Sequence, residues 1–362
     1  MAARVRAFDW LRGLAVVAMI QTHALALLRP ELRAGTFYGT LQWIDGLVAP
    51  AFIFAAGFSM ALTQVRAAAG APGGRSARVR RTLRRLFEVL LVATLVNWMW
   101  FPIFRQPRWI LRVDILQCIG LSLLIALPAL VLLAPRPRAL RWVSLGLAAL
   151  AFGVSPLAEH VPPPLGHFLN DATDLKSIFP LLPWSGYVYL GAAVGANPGP
   201  REMARWLVLL ALVGAALWMA TPWVSSLYPP HNFWVTDPTN HARRWTQVSL
   251  VALVLLAIEQ LFAGAWLTSW PVRFIEIFGT SSLAAYFLHE MLLFYRLFGV
   301  FSFDRFWRDR CSWPQYWALL TLLLGLTFAL TWLVDKVYQR VDQRLSPRAR
   351  TANPPAPKAS AA

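Results

Sequence analysis

Apolar runs close to twenty residues long recur from one end of this 362-residue chain to the other. Each approaches the ~20 residues that a helix needs to cross the hydrocarbon core of a bilayer. The runs lie at roughly 8–28, 41–62, 86–104, 113–134, 140–155, 179–196, 204–223, 247–266, 274–295 and 315–337. Lipid cannot satisfy an open backbone, and the runs lack the alternation of barrel strands, so helix is the conformation left to them. Composition agrees: 57% of residues are hydrophobic and 14% charged, against about 45–50% and about 25% in soluble domains. No water-soluble core absorbs that much apolar surface. The expected fold is all-α, a polytopic transmembrane bundle of about ten helices forming one integral-membrane domain over 1–345. The Pro-, Ala- and Arg-containing tail, 346–362, is expected to be disordered. MAARVRAFDW enters its apolar run without a small-residue cleavage site and reads as a retained first helix.

A net charge of +17 invites a nucleic-acid partner, so the placement of the basic residues must decide. They sit mainly between apolar runs and on one side. Cytoplasmic loops retain Lys and Arg. With the N-terminus inside, that face collects Arg4, Arg6 and Arg12, the run from Arg66 to Arg85, Arg136, Arg138, Arg141 and the tail beyond Lys336; Arg305, Arg308 and Arg310 fall on the other face. Both termini are therefore expected in the cytoplasm and the loops 156–178 and 224–245 outside. The partner is the lipid bilayer and not nucleic acid, and the Arg-over-Lys bias hints at a bacterial plasma (inner) membrane. A homo-oligomer is left open. Cys118 and Cys311 have no metal or redox spacing. His160, His167, His231 and His241 lack metal-ligand spacing and are expected to be solvated; Tyr228, Phe233 and Trp234 suit sugar stacking or an interfacial belt.

Ionisable groups inside a membrane are costly and mark function by default. In the first run Asp9, Arg12, Val16, Met19 and His23 share one helix face. A rise of 1.5 Å per residue puts His23 about 16 Å from Arg12, toward the outer leaflet. Asp45 opens the second run near the same level, and Asp114 and Gln117 open the fourth. Ser282, Tyr286 and His289 stack along the ninth. This layer permits general-base chemistry, a neutral imidazole taking a proton while Asp45 or Asp114 orients the ring. The same histidines would also serve as interhelical hydrogen-bond partners. Asp9 and Arg12 read as an inner-end salt bridge, or as a phosphate site shared with Arg78, Arg80, Arg81, Arg84 and Arg85; for the arginine run, orientation is the stronger reading.

RAFDWLRGLAVVAMIQTH, with its R-x-x-D-x-x-R-G opening, resembles the start of the first helix in bacterial relatives of heparan-α-glucosaminide N-acetyltransferase. FIFAAGFSMAL, RVDILQCIGLSLLIA, FPLLPWSGYVYLGAAVG and FGTSSLAAYFLHEMLL resemble later blocks in the same order, so the likeness runs over about 6–335. Asp9, Arg12 and Gly13 match the first block, His23 its terminal histidine, and Asp45 the acidic residue opening the second helix. Asp114 and Gln117, then Pro183, Trp184 and Gly186, then Ser282 and His289 match the later ones. The resemblance implies acetyl transfer from cytoplasmic acetyl-CoA to an extracytoplasmic carbohydrate. His23, Asp45 and Asp114 would be catalytic, and Gln117, Trp184, Ser282, Tyr286 and His289 would bind substrate. Asp9, Arg12, Arg81, Arg84 and Arg85 would hold the CoA phosphates; no metal is expected. The loop after the first helix, RPELRAGTFYGT, lacks the histidine that human-type enzymes carry there, so His23 fills that role or the reaction differs. The rival is a transporter or flippase for a small polar or glycan substrate, against which the missing internal repeat argues.

Overall fold

The computed structural model describes residues 4–70, 74–101, 103–170, 174–197, 199–262, 265–295 and 301–345. Among them no extended strand forms, and Leu28 and Cys311 make an isolated bridge. The α-helices are α1 Ala7–Ala24, α2 Thr36–Gly70, α3 Gly74–Trp100, α4 Ile115–Leu132, α5 Pro137–Ala158, α6 Gly166–Leu169 and α7 Leu181–Gly195. They continue as α8 Pro200–Met219, α9 Thr221–Ser225, α10 Pro238–Leu261, α11 Trp270–Thr280, α12 Ser282–Leu293, α13 Phe303–Trp307 and α14 Trp313–Leu345. Seven are long and apolar enough to cross a membrane: α1 with its following turn, α2, α4, α5, α8, α10 and α14. Every apolar run of the sequence falls on a helix, and the chain is an all-α, polytopic membrane bundle. The other three runs are atypical spans. The arginine run occupies the first half of α3, α7 has 15 residues, and the ninth run is broken at Ser281 into α11 and α12. The tail 346–362 lies outside the described residues.

Two boundaries differ from the sequence reading, each for a local reason. The stretch Arg66–Arg85 is helical in its described part, because Ala and Arg are among the best helix formers. His241 belongs to α10 and not to a loop. Asp237 caps that helix by accepting from the backbone N–H groups of Thr239 at 2.8 Å and Asn240 at 3.3 Å, with Pro238 at the first position. Arg243 and Arg244 had depressed the hydropathy of this opening turn.

Between helices in lipid no hydrophobic force favours contact over acyl chains, so close backbone approach supplies the packing. A Cβ on Gly13 would lie 2.0 Å from the Ile275 carbonyl oxygen, and one on Gly279 would lie 1.9 Å from that of Asp9. That pair seats α1 directly on α11. The same device at Gly57 and Gly191 joins α2 to α7, with Cβ clearances of 1.9 Å to Val188 O and to Phe54 O. α2 and α4 are the most enclosed spans and α14 the least. The polar residues therefore meet around α1, α2, α4 and α12.

Candidate active site

A cavity of about 460 Å³ lies among these helices, lined by His23, Asp45, Trp100, Arg112, Asp114, Tyr286 and Glu290 among others. At its wall His23 Nδ1 stands 2.9 Å from His289 Nε2 and 3.1 Å from Glu290 Oε1. The His289 Nδ1 is 3.1 Å from the Ala285 carbonyl. A carbonyl only accepts, so that nitrogen carries the proton and leaves Nε2 of the neutral ring as an acceptor. His23 Nδ1 must then donate, which leaves His23 Nε2 with the lone pair. Glu290 is buried, and its second oxygen accepts from Trp100 Nε1 at 3.2 Å. Within the cluster each residue's donor atom lies within 4.8 Å of the others, a set that could hold a metal ion.

The structure brings His23, Asp45, Asp114 and Tyr286 to one cavity. His289 stands behind His23 and is fully buried. Both carboxylate oxygens of Asp45 are shielded from solvent, with the Thr22 hydroxyl and His23 beside them. Asp114 is the N-cap of α4: it accepts from Ile115 N–H at 2.8 Å, while Gln117 Oε1 accepts from Asp114 N–H at 3.2 Å. Gln117 spends its amide on the Ala93 carbonyl at 3.1 Å. It lines none of the cavities described here. Glu290 was missed by sequence reasoning, although a carboxylate inside an apolar run is itself the signal.

Arg81, Arg84 and Arg85 line a second cavity of about 400 Å³ at the arginine-rich end, with Met60, Thr63 and Tyr338. A third, of about 200 Å³, shares Met60, Thr63 and Arg85 with it and adds Arg12 and Ser282. Arg12 donates to the Gly279 carbonyl at 3.2 Å, to the Ala55 carbonyl at 3.1 Å and to Ser59 Oγ. It thereby satisfies a carbonyl freed by the break between α11 and α12. Asp9 is not part of this group; it pairs with Arg4 at 2.7 Å. Toward the opposite end a fourth cavity, about 730 Å³, is lined by Trp184, Trp234, Arg244 and Lys176 and shares Asp45, Ala49, Ile178 and Phe179 with the central one.

Three of the four loop histidines expected to be solvated are not. His241 is fully buried and stands 2.8 Å from Tyr187 Oη; His167 is buried as well. His231 Nε2 pairs with Asp237 at 2.9 Å. Burial disfavours the imidazolium of His231, but the Pro229 carbonyl and Asp237 outweigh it and raise the pKa. For Asp237 burial favours the neutral acid, and the hydrogen bonds from Ser225, Thr239 and His231 outweigh that and lower it. Hydrogen-bonded polar loops can fold inward where the sequence shows only polarity.

The family profile described as heparan-alpha-glucosaminide N-acetyltransferase, catalytic, matches residues 4–221. The match takes in His23, Asp45, Arg81, Arg84, Arg85, Asp114 and Trp184, while His289 and Glu290 lie beyond it. No curated protein matches the chain.

Proposed function

The chain belongs to the heparan-alpha-glucosaminide N-acetyltransferase catalytic family, and on that premise we propose that it moves an acetyl group from cytoplasmic acetyl-CoA to a carbohydrate on the far side of the membrane. The observation that carries this reading is two pairs of adjoining cavities: one lined by Arg81, Arg84 and Arg85 that adjoins one at Arg12, and one lined by His23 and Glu290 that adjoins one at Trp184 and Arg244. The arginines suit the CoA phosphates, which a guanidinium grips by paired, charge-assisted hydrogen bonds. The distance of about 16 Å along α1 from Arg12 to His23 is one that an extended pantetheine arm spans. Trp184 and Trp234 offer faces on which a sugar ring stacks.

In this proposal His23 Nε2 takes the proton from an acceptor hydroxyl or amine as that group attacks the thioester carbonyl. Glu290 and His289, both within reach of His23 Nδ1, hold the ring in the required tautomer. The carbon–sulfur bond breaks, and the departing CoA sulfur takes the proton from His23. Removal of a general base typically costs 10²–10⁴-fold, so His23→Ala should lower acetyl transfer by about that factor without loss of insertion or folding. Glu290→Gln should lower it less, since the amide still accepts from Nδ1–H. The assay is transfer of radiolabelled acetyl from acetyl-CoA to membrane glycans, with glycan analysis of a deletion strain to identify which acetyl group disappears. Full activity of His23→Ala rejects the assignment. A carrier would use a pathway of the same shape, but purified carrier should show no acetyl-CoA binding by calorimetry.

A further inference from the structure

We propose that His23, His289 and Glu290 form a zinc-binding site whose occupancy shuts off the acyl-transfer centre. The three atoms that face one another are His23 Nδ1, His289 Nε2 and Glu290 Oε1, separated by 2.9, 3.1 and 3.4 Å. Ligands about 2.0–2.2 Å from a tetrahedral zinc stand roughly 3.3–3.5 Å apart, and two His with one Glu plus an open position is a known catalytic donor set for that ion. The fourth position would be supplied from the cavity that His23 and Glu290 line.

Electrostatics favours a cation here. Glu290 is 4% exposed, and its salt-bridge partners among the described residues are the two imidazoles, which carry charge only when protonated. A buried carboxylate needs a cation or a proton. With His289 Nδ1–H given to the Ala285 carbonyl, one hydrogen, that on His23 Nδ1, serves the acceptor atoms His289 Nε2 and Glu290 Oε1. A divalent ion would satisfy all three donors at once. Both outer contacts that metal ligands ordinarily require are in place: His289 Nδ1 on the Ala285 carbonyl, and Trp100 Nε1 on Glu290 Oε2 at 3.2 Å.

Coordination through Nδ1 places the remaining imidazole hydrogen on His23 Nε2, so the lone pair that takes the acceptor's proton is lost. Inhibition rests on the function proposed above, whereas binding does not. The test is cobalt titration of chelator-treated, detergent-purified protein, read by the visible absorption of tetrahedral Co²⁺ and by competition with Zn²⁺. One equivalent should bind. His289→Ala should weaken binding at least tenfold. Trp100→Phe, which keeps all three ligands, should weaken it by about tenfold, the lower end of the range for outer-shell losses. His160→Ala combined with His231→Ala should leave metal binding unchanged. Absence of a stoichiometric signal, or a signal that survives His289→Ala, overturns the site. Zn²⁺ should suppress acetyl transfer and a chelator restore it; transfer that rises with Zn²⁺ overturns the inhibitory role. Stoichiometric binding by a protein that transfers no acetyl group would leave the site standing and remove the functional reading.

Discussion

Asp114 shows how a residue's surroundings decide between two uses of one carboxylate. It borders the cavity, yet its oxygen also caps α4. Asp114→Ala should therefore lower stability by about 1 kcal/mol, as cap losses do, and Asp114→Asn should restore most of it in a thermal unfolding assay. The D-x-x-Q signature of that cap stands in RVDILQ, but an apolar run blurs where its helix begins. Glu290 is equally legible, a carboxylate inside an apolar run, four residues from Tyr286 and on the same face. The His231–Asp237 pair sets a pH window. Asp237 has a lowered pKa, so its contribution is present above the ordinary carboxylate value of about 4 and is lost as pH falls through the folded value. His231 has a raised one, so its contribution is full below about 6.5 and is lost as pH rises through the folded value. Thermal stability should peak between those limits, and His231→Gln should flatten the alkaline flank; an unchanged profile would show the pair to be inert.

Helix existence was written in hydropathy, whereas helix interruption and helix contact were not. The run 274–295 reads as continuous, yet Gly279-Thr280-Ser281-Ser282 interrupts it with poor helix formers, and Arg12 on α1 receives the freed carbonyl. No property of the run itself names that partner. The glycine crossings are similar: Gly13, Gly57 and Gly279 are backbone contacts, while Gly146, on the outward side of α5, has nothing within 4 Å of a built Cβ. Gly279→Leu should cost at least the 1–3 kcal/mol typical of overpacking, whereas Gly146→Leu should stay within about 0.5 kcal/mol. Unfolding midpoints in detergent compare the two; equal midpoints would mean that α1 and α11 can separate without penalty. The His241 misplacement came from the same limit, because buried hydrogen bonds to Tyr187 and the Val235 carbonyl give a polar turn an interior location.

For the molecule as a whole, the charge bias along the sequence gives the bundle its expected orientation in the membrane. The arginine-lined cavity and the tryptophan-lined cavity are separate, and from the charge rule we propose that the former faces the cytoplasm and the latter the far side. Cys118 and Cys311 are buried, so introduced thiols report cleanly. Arg81→Cys should react with an impermeant maleimide only from the cytoplasmic side and Trp234→Cys only from the other. Labelling of both from one side would remove the transmembrane route. The clamp at the helix break has an electrical consequence. Moving one elementary charge across a membrane is worth about 2.3 kcal/mol per 100 mV, but a guanidinium tied to acceptors on α2 and α11 is immobile and does no such work. Arg12 acts instead as a standing positive potential inside the dielectric, which draws anions inward and repels cations whatever the voltage.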